Sequence, residues 1–461
     1  MKNVSKIGVF ALMLGLGTLC ITSCNDPEES IPEPTPDKAM NPVEQKEVMD
    51  KVGRDVLNLF PSSDYKRVTD LANDLDCKYE DYDFDPVDDW ASDVWDGLLK
   101  EMGKSQQTDE WGDVYIYTDY KALVALSNFT GHFTPDDTKE TFVRKDANDL
   151  KFTVKDAGGK ECVATLTRSG AEKQVHLGKI EDWVDYDYGY DKNGQWYYQD
   201  YYDRYDITFK VPEHITLTVT QGGETLLTVN ADIDLGALQD TEFNLAKSTL
   251  GVKVKATLYS GVKINVENVQ YDPKNVKASV AVSKGSQKII TCTVSTSLSG
   301  IPSCNLSAFT DEDYVDDRLE GDFIDAEGKD TYVKVDVMGK VQLQGTLSRI
   351  HKLVDYLEKM DDNEENEQEF KSYMTQVNGL MNLGVFYDNT STRQARVVLE
   401  AFEDDYDYYD DEKYWYAEPV IHFYDGTSYS TMSAFFDEDD FKKLVDTFED
   451  LVDAYDAMIE F

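Results

Sequence analysis

Hydrophobic residues recur at helical spacing in the first ordered part of the chain. Apolar residues spaced three or four apart run through residues 48–60, and Pro61 ends the run. Just before them stand Asn41, a common N-cap residue, Pro42 at the first helical position and Glu44 at the third. This arrangement is a capping box with a proline start. The sequence therefore predicts a helix that begins near Asn41.

Two more amphipathic helices are predicted before residue 105. Their apolar stripes are far more typical of faces packed on a core than of ligand sites. The stripes consist of Val68, Leu71 and Leu75 in one helix and of Trp90, Val94, Leu98 and Met102 in the other.

From about Val114 the hydrophobic period changes from 3.6 to 2, which is typical of strands. Three segments, residues 150–167, 215–232 and 276–293, each combine an alternating strand, a glycine-containing turn and a second strand. Each predicts a β-hairpin, and their similarity suggests a degenerate internal repeat. The sequence thus predicts a central antiparallel meander of roughly eight strands over residues 140–306, apolar on one face.

The remaining C-terminal part predicts a cover for that apolar face. Stripes in residues 347–357 and 370–380 flank a charged turn and predict a helical hairpin. Strands at 384–388, 394–403, 414–424 and 427–434 would form a small antiparallel sheet, and residues 441–459 a terminal amphipathic helix. The fold class is therefore α+β. The sequence predicts one domain at 43–344 and a second part at 345–461, which is either separate or integral with the first domain.

Composition narrows the function classes. The 461 residues include 90 Asp and Glu against 45 Lys and Arg, a formal charge of −45. General nucleic-acid binding needs clustered cations, and docking on an anionic membrane needs a basic face. Neither is expected of so acidic a chain. The 41% hydrophobic and 12% aromatic content is enough to build a core.

The N-terminus carries a targeting pattern. Lys2 and Lys6 precede a short apolar run at residues 7–19, and Ile21-Thr22-Ser23-Cys24 follows. An aliphatic residue and two small ones before a cysteine resemble the bacterial lipobox. The resemblance implies that residues 1–23 are a signal peptide and that Cys24 is acylated and becomes the mature N-terminus. An ordinary secretory signal with incidental cysteines is the alternative.

The segment after Cys24 predicts a tether. Residues 24–42 are rich in proline and acids, a composition that stays extended and solvated. Acids directly after the lipobox cysteine resemble the surface-export signals of Bacteroidota lipoproteins, although Pro27 interrupts the run. The resemblance implies an outer-membrane protein held in the cell envelope by its acyl chains, with surface exposure as a further expectation. No family is recognised for the ectodomain.

Motifs for catalysis are scarce. The five histidines form no HExxH arrangement, and neither a G-x-S-x-G elbow nor a glycine-rich dinucleotide fingerprint occurs after the signal peptide. Adjacent acids such as Asp404 and Asp405 are expected by chance in so acidic a chain, so an enzyme ranks third among the function classes. Cys292 and Cys304 are candidates for a disulfide between neighbouring strands, or for small buried apolar groups.

Residues 181–206 combine ten Trp and Tyr with eight Asp and Glu. Three interpretations stay open: a solvated hairpin with its turn at 191–194, a contact surface for a protein or a glycan, and a calcium site, for which the EF-hand spacing does not match. The contact surface would use Trp183, Tyr186, Tyr188, Tyr190, Trp196, Tyr197 and Tyr198, and the calcium site Asp185, Asp187, Asp191 and Asn193. Apart from calcium, no cofactor is expected.

The sequence favours a lipid-anchored, non-catalytic binding or scaffold protein. The segment 181–206 is expected to project from the sheet as a contact surface, because its irregular pattern gives no face apolar enough to pack as core. The alternative is a carrier of a lipophilic ligand, since a one-sided sheet under helices is similar to the half-barrel lipid carriers of bacterial envelopes. An open apolar cavity would favour the carrier, and helices that fill the sheet face would favour binding on the exterior.

Overall fold

A computed structural model describes residues 39–83, 105–107, 129–190, 192–298, 301, 303–305, 331–404, 414–426, 432–436 and 441–456. Within the long strands it describes residues 177–187 and 199–207 by their backbone only. The chain divides into two units. The first unit contains Met1–Asp70, Thr257–Ser299 and Glu327–Phe461, and the second contains Leu71–Ala256 and Gly300–Ala326.

Strands β1 to β8 come first along the chain. They are β1 Ser105–Gln107, β2 Gly131–Asp136, β3 Thr141–Lys145, β4 Leu150–Lys155, β5 Glu161–Tyr190, β6 Trp196–Gln221, β7 Glu224–Leu235 and β8 Leu250–Leu258. Their order is β3-β2-β4-β5-β6-β7-β8, and β1 pairs with β6. The pairings for which a register is given are antiparallel, except that β2 runs parallel to β4.

Aromatic side chains form the core of the second unit around its first strands. Tyr79, Phe133 and Phe142 are buried together, and Phe152 stacks on Phe133 with ring centroids 4.7 Å apart. The Tyr79 hydroxyl also accepts a 3.1 Å hydrogen bond from the backbone N–H of Lys155. Tyr79 thereby fastens the end of its helix to β4.

The first unit contains a meander of its own. Its strands are β9 Val262–Asp272, β10 Asn275–Lys284, β11 Gln287–Ser297, β12 Thr331–Val337, β13 Val341–Leu347, β14 Met381–Tyr387, β15 Ala395–Asp404 and β16 Tyr414–Phe423. Each pairs antiparallel with the next. The helices in the described residues are α1 Pro42–Leu57, α2 Lys66–Tyr79, α3 Ile350–Asp361, α4 Glu367–Leu380, α5 Met432–Phe435 and α6 Lys442–Asp456, with a 3₁₀ turn at Ser62–Asp64.

Helices α1, α5 and α6 cover one face of the C-terminal strands. Buried residues of these helices and of β14, β15 and β16 form one cluster, in which Phe435 is fully buried. The helices α1 and α6 approach closely at Gly53, where a Cβ atom would lie 2.8 Å from the Leu444 side chain. A second cluster joins α1 to β11 and β12.

The opposite face of the same strands is also covered. Strand alternation places Phe386 on the side away from Val385 and Tyr387, and Phe386 is fully buried. Helix α4 packs against β14, β15 and β16. The Asn378 amide of α4 bonds both backbone groups of Leu399 in β15, at 2.7 and 2.8 Å. These strands are therefore the middle layer between helices.

Several sequence predictions are confirmed. The chain is α+β with a large, mostly antiparallel meander, and the three predicted hairpins are β4–β5, β6–β7 and β10–β11. The capping box of α1 forms, with Asn41 and Glu44 bonding each other's backbone N–H groups. The helical hairpin is α3 and α4. The predicted helix at Trp90, Val94, Leu98 and Met102 lies outside the described residues.

Other predictions about the fold are wrong. The described residues contain sixteen strands, not roughly eight in a central sheet plus a small separate one. Strand β14 pairs with β13 across the inserted helical hairpin, so the C-terminal strands continue the meander. Residues 432–434, predicted to end a strand at 427–434, belong instead to the short helix Met432–Phe435. The division at residue 344 stays a prediction.

Candidate binding surface

The β5–β6 hairpin extends far beyond its neighbours in the sheet. Strand β4 pairs with β5 only as far as Leu166, and β7 pairs with β6 only from His214. The two long strands continue to pair with each other until Tyr190 meets Trp196. At a rise of about 3.3 Å per residue, the ribbon from Gly178 to Tyr190 is about 40 Å long. We call this ribbon the arm.

The base of the arm is fastened to the second unit. The backbone N–H of His176 donates to the carbonyl oxygen of Thr241, and the His176 ring lies 2.6 Å from Glu242 Oε1. The Lys173 ammonium donates to the carbonyl of Leu235. Val175 is only 3% exposed. Outward of these contacts, β1 pairs with β6 from Tyr202 to Arg204.

Register shifts interrupt the β5–β6 hairpin at three points. They lie between Ser169 and Glu172, between His176 and Gly178, and between Trp183 and Asp185. Irregularities of this kind locally increase the twist of a strand pair and change the direction in which side chains face. No shift interrupts the pairs from Asp185 to Tyr190, so the register at the tip is regular.

Four aromatic side chains share one face at the tip. Tyr188 lies directly opposite Tyr198, and Tyr190 directly opposite Trp196. Because alternate residues of a strand point to the same side, all four rings belong to one face. Their side chains are 52–74% exposed. The Trp196 and Tyr198 rings are nearly parallel, 14° apart in angle and 6.4 Å between centroids. We call these four residues the aromatic face.

Tyr197 lies on the other side of the ribbon. It pairs with Gly189, and a Cβ atom at Gly189 would lie 3.5 Å from the Tyr197 ring. The ring therefore covers a strand position that has no side chain, a contact known to compensate glycine in sheets. Its exposure, 37%, is the lowest of the five tip aromatics. Tyr197 belongs to the local structure of the tip rather than to the aromatic face.

The tip ends in a polar turn. Residues 192–195 connect the closing pair, and Gly194 has a φ of +80°, a left-handed conformation that glycine adopts without steric cost. Asn193 is exposed in this turn. The side chains of Trp183, Tyr186, Asp185 and Asp187, and all of Asp191, lie outside the description. Among the described residues, no group of three or more acidic, His or Cys side chains is placed to hold a metal. The calcium site stays a prediction.

Cys292 and Cys304 are buried thiols that are not joined by a disulfide, and they belong to different units. Cys292 lies in the cluster of Val52, Val56 and Ile289. It acts there as the small apolar group that the sequence allowed as the alternative.

The described histidines do not come together in one site. Four of them each have a carboxylate oxygen 2.6–2.7 Å from a ring nitrogen, in different parts of the described chain. The pairs are His132–Asp149, His176–Glu242, His214–Asp232 and His422–Glu400. In the first pair, the hydrogen bond from His132 lowers the pKa of Asp149. The His214 and His422 pairs each join two neighbouring strands.

Charged and polar groups contribute to two pockets among the described residues. An open pocket of about 790 Å³ lies at the start of α4, lined by Glu365, Asn366, Glu367, Gln368 and Lys371. A crevice of about 10 Å³ lies at the base of the arm, beside Lys173 and Glu213. Neither pocket offers the enclosed apolar interior that a lipid carrier needs. The carrier stays a prediction.

Comparisons with known proteins give no match. No protein-family model, no curated protein and no solved structure matches the chain. Within the described residues, no helix is both long and apolar enough to cross a membrane.

Proposed function

We propose that the protein is a lipid-anchored binding module of the bacterial cell envelope, without catalytic activity, and that it contacts its partner through the aromatic face. The partner is a protein or a glycan. The acyl anchor at Cys24 holds the module on the outer membrane, and the tether and the arm set the distance at which it works.

The aromatic face is the observation that carries the proposal. Of the twelve large hydrophobic side chains that are exposed in the described chain, five lie at the tip of the arm. The others are spread along the chain, as is normal for single apolar residues on a protein surface. A cluster of exposed Tyr and Trp is the composition that dominates binding hot spots, because these rings bury much area and lose little rotamer entropy.

The tether fits this role. Met40 lies sixteen positions after Cys24, and an extended proline-rich chain of that length would span about 50 Å at about 3.1 Å per residue. Two hydrogen bonds hold the backbone at Met40 in place. The backbone N–H of Met40 donates to Gln394 Oε1, and the Gln45 amide donates to the Met40 carbonyl. Gln45 is fully buried and accepts a 2.9 Å hydrogen bond from Tyr387.

Photo-cross-linking from the tip tests the proposal. A photo-reactive phenylalanine analogue replaces Tyr190, which is 74% exposed, in the full lipid-anchored chain on its cells. We expect a covalent adduct of higher mass from position 190, because the partner would lie within reach of the ring. Digestion of the adduct by protease or by glycosidase then distinguishes a protein from a glycan.

Tyr416 provides the matched control. It is an aromatic strand residue of the first unit and is 41% exposed. The same analogue at position 416 reports on random collisions. A yield at position 190 no higher than at position 416 would show that the aromatic face has no partner in the envelope.

A further inference from the structure

We infer that the aromatic face binds an extended peptide segment with Arg or Lys at alternate positions. The inference rests on the proposed function and names the class of its partner. Three features of the chain favour a cationic peptide: the charge of the arm, the chemistry of the rings and the spacing between them.

The charge of the arm selects against anionic partners. Residues 181–206 contain eight acidic and two basic residues, and the whole chain has twice as many acids as bases. A nucleic acid, an acidic polysaccharide or a phosphate-rich surface would meet like charge on approach. A cationic segment would instead be attracted before contact, which raises the association rate at low salt.

The rings add an attraction of their own for cations. The face of an aromatic ring carries negative electrostatic potential, and Trp and Tyr faces attract guanidinium and ammonium groups. The chain already uses this contact elsewhere. The Lys371 ammonium lies 3.9 Å above the Trp415 ring, and the Arg67 guanidinium 5.1 Å above the Tyr259 ring. At the tip, the exposed Tyr and Trp rings present the same chemistry to solvent.

The spacing of the rings matches an extended peptide. Trp196 and Tyr198 lie with ring centroids 6.4 Å apart and with nearly parallel planes. In an extended chain, side chains on one side repeat every two residues, or about 6.6 Å. Alternate Arg or Lys residues of a partner segment could therefore lie over successive rings. The side chains between them would face away, so their identity would matter little.

Peptide titration tests the inference. The probe is a ten-residue peptide of alternating Arg and Gly, titrated into the full lipid-anchored chain in a non-ionic detergent. We expect Trp196→Leu and Tyr198→Leu each to weaken binding about two- to five-fold, the value of a cation–π contact at an exposed site. The variant Tyr416→Leu, which removes an exposed ring from the first unit, should bind like the wild type.

Two further measurements separate specific contact from general attraction to an acidic protein. A peptide of the same composition with its arginines grouped together should bind more weakly, because it cannot place them over successive rings. Binding of the alternating peptide should fall by about ten-fold or more between low and high salt, since charges in water are screened. Unfolding midpoints of the Leu variants identical to the wild type establish that only the surface changed.

The outcomes distinguish this inference from the proposed function. Equal binding of both peptides by the wild type and by the Leu variants would overturn the inference. A neutral oligosaccharide such as maltoheptaose, bound in a way that depends on Trp196 and Tyr198 but not on salt, would overturn it in favour of a glycan. Either result leaves the cross-link from position 190 in place, so the proposed function fails only if that cross-link is also missing.

Discussion

Removing the chain from Asp437 onward should unfold the first unit. The truncation deletes α6 together with Phe441 and Leu444, which are 2% and 5% exposed. Both residues lie in the cluster that includes Leu57 and Phe423. Burial of one such side chain contributes about 1.5–3 kcal/mol. The truncation removes two such side chains and also exposes the apolar surface that they cover. The stabilisation lost is therefore comparable to the lower part of the typical folding free energy of about 5–15 kcal/mol. Thermal unfolding and size-exclusion chromatography measure the effect.

Two point substitutions on α6 provide matched tests of that packing. Leu444→Ala should lower the free energy of unfolding by about 2–5 kcal/mol, because it leaves a cavity against Gly53. Val452→Ala, on the same helix but 37% exposed, should change it by less than about 0.5 kcal/mol. A truncated chain that stays monomeric and unfolds at the wild-type midpoint would show that α6 is a detachable appendage.

Replacing Cys24 with Ser should release the protein from the membrane. Two acyl chains are enough for stable anchoring, whereas one gives only marginal, reversible binding. The variant should therefore move from the membrane fraction to the soluble fraction, or remain as an unprocessed precursor.

Cys20 supplies the control for the anchor. It lies four residues before Cys24, and bulky Leu19 precedes it where the lipobox has a small residue. Cys20→Ser should leave fractionation and incorporation of labelled palmitate unchanged. If Cys24→Ser also leaves both unchanged, the lipid anchor is assigned to the wrong residue or does not exist.

Local patterns in the sequence predicted the elements well. The capping box at Asn41 and Glu44 is specified by adjacent residues, so it could be recognised without the structure. The three hairpins could also be recognised, because a short glycine-containing turn between two alternating strands forces those two strands to pair with each other. Most of the described helices and strands were accessible in this way.

Pairing across long insertions was not predictable. Strands β13 and β14 lie next to each other although α3 and α4 separate them in sequence. Alternation reveals which face of a strand is apolar but does not reveal which strand lies beside it. The C-terminal strands were therefore placed in a separate small sheet. Each unit likewise combines segments that are far apart in the sequence, which alternation does not reveal.

The candidate site was predicted in part. The aromatic and acidic composition of residues 181–206 indicated a contact surface, and the structure places Tyr188, Tyr190, Trp196 and Tyr198 on one exposed face. The different position of Tyr197 depends on its pairing with Gly189, which only the register reveals. The length of the arm was also missed, because strands of 30 and 26 residues are far longer than is usual.

The central claim is that the tip of the arm is a contact surface and not part of the core. Its most direct test is to replace residues 188–198 by a short Gly-Ser turn and to measure the unfolding midpoint of that variant. The described residues of the tip are exposed, apart from Gly189. Substitution of an exposed residue usually changes the free energy of unfolding by less than about 0.5 kcal/mol. We therefore expect the midpoint to stay within about 2 °C of the wild type. A fall of about 10 °C or more, or loss of cooperative unfolding, would show that the aromatic residues stabilise the fold and would contradict the account.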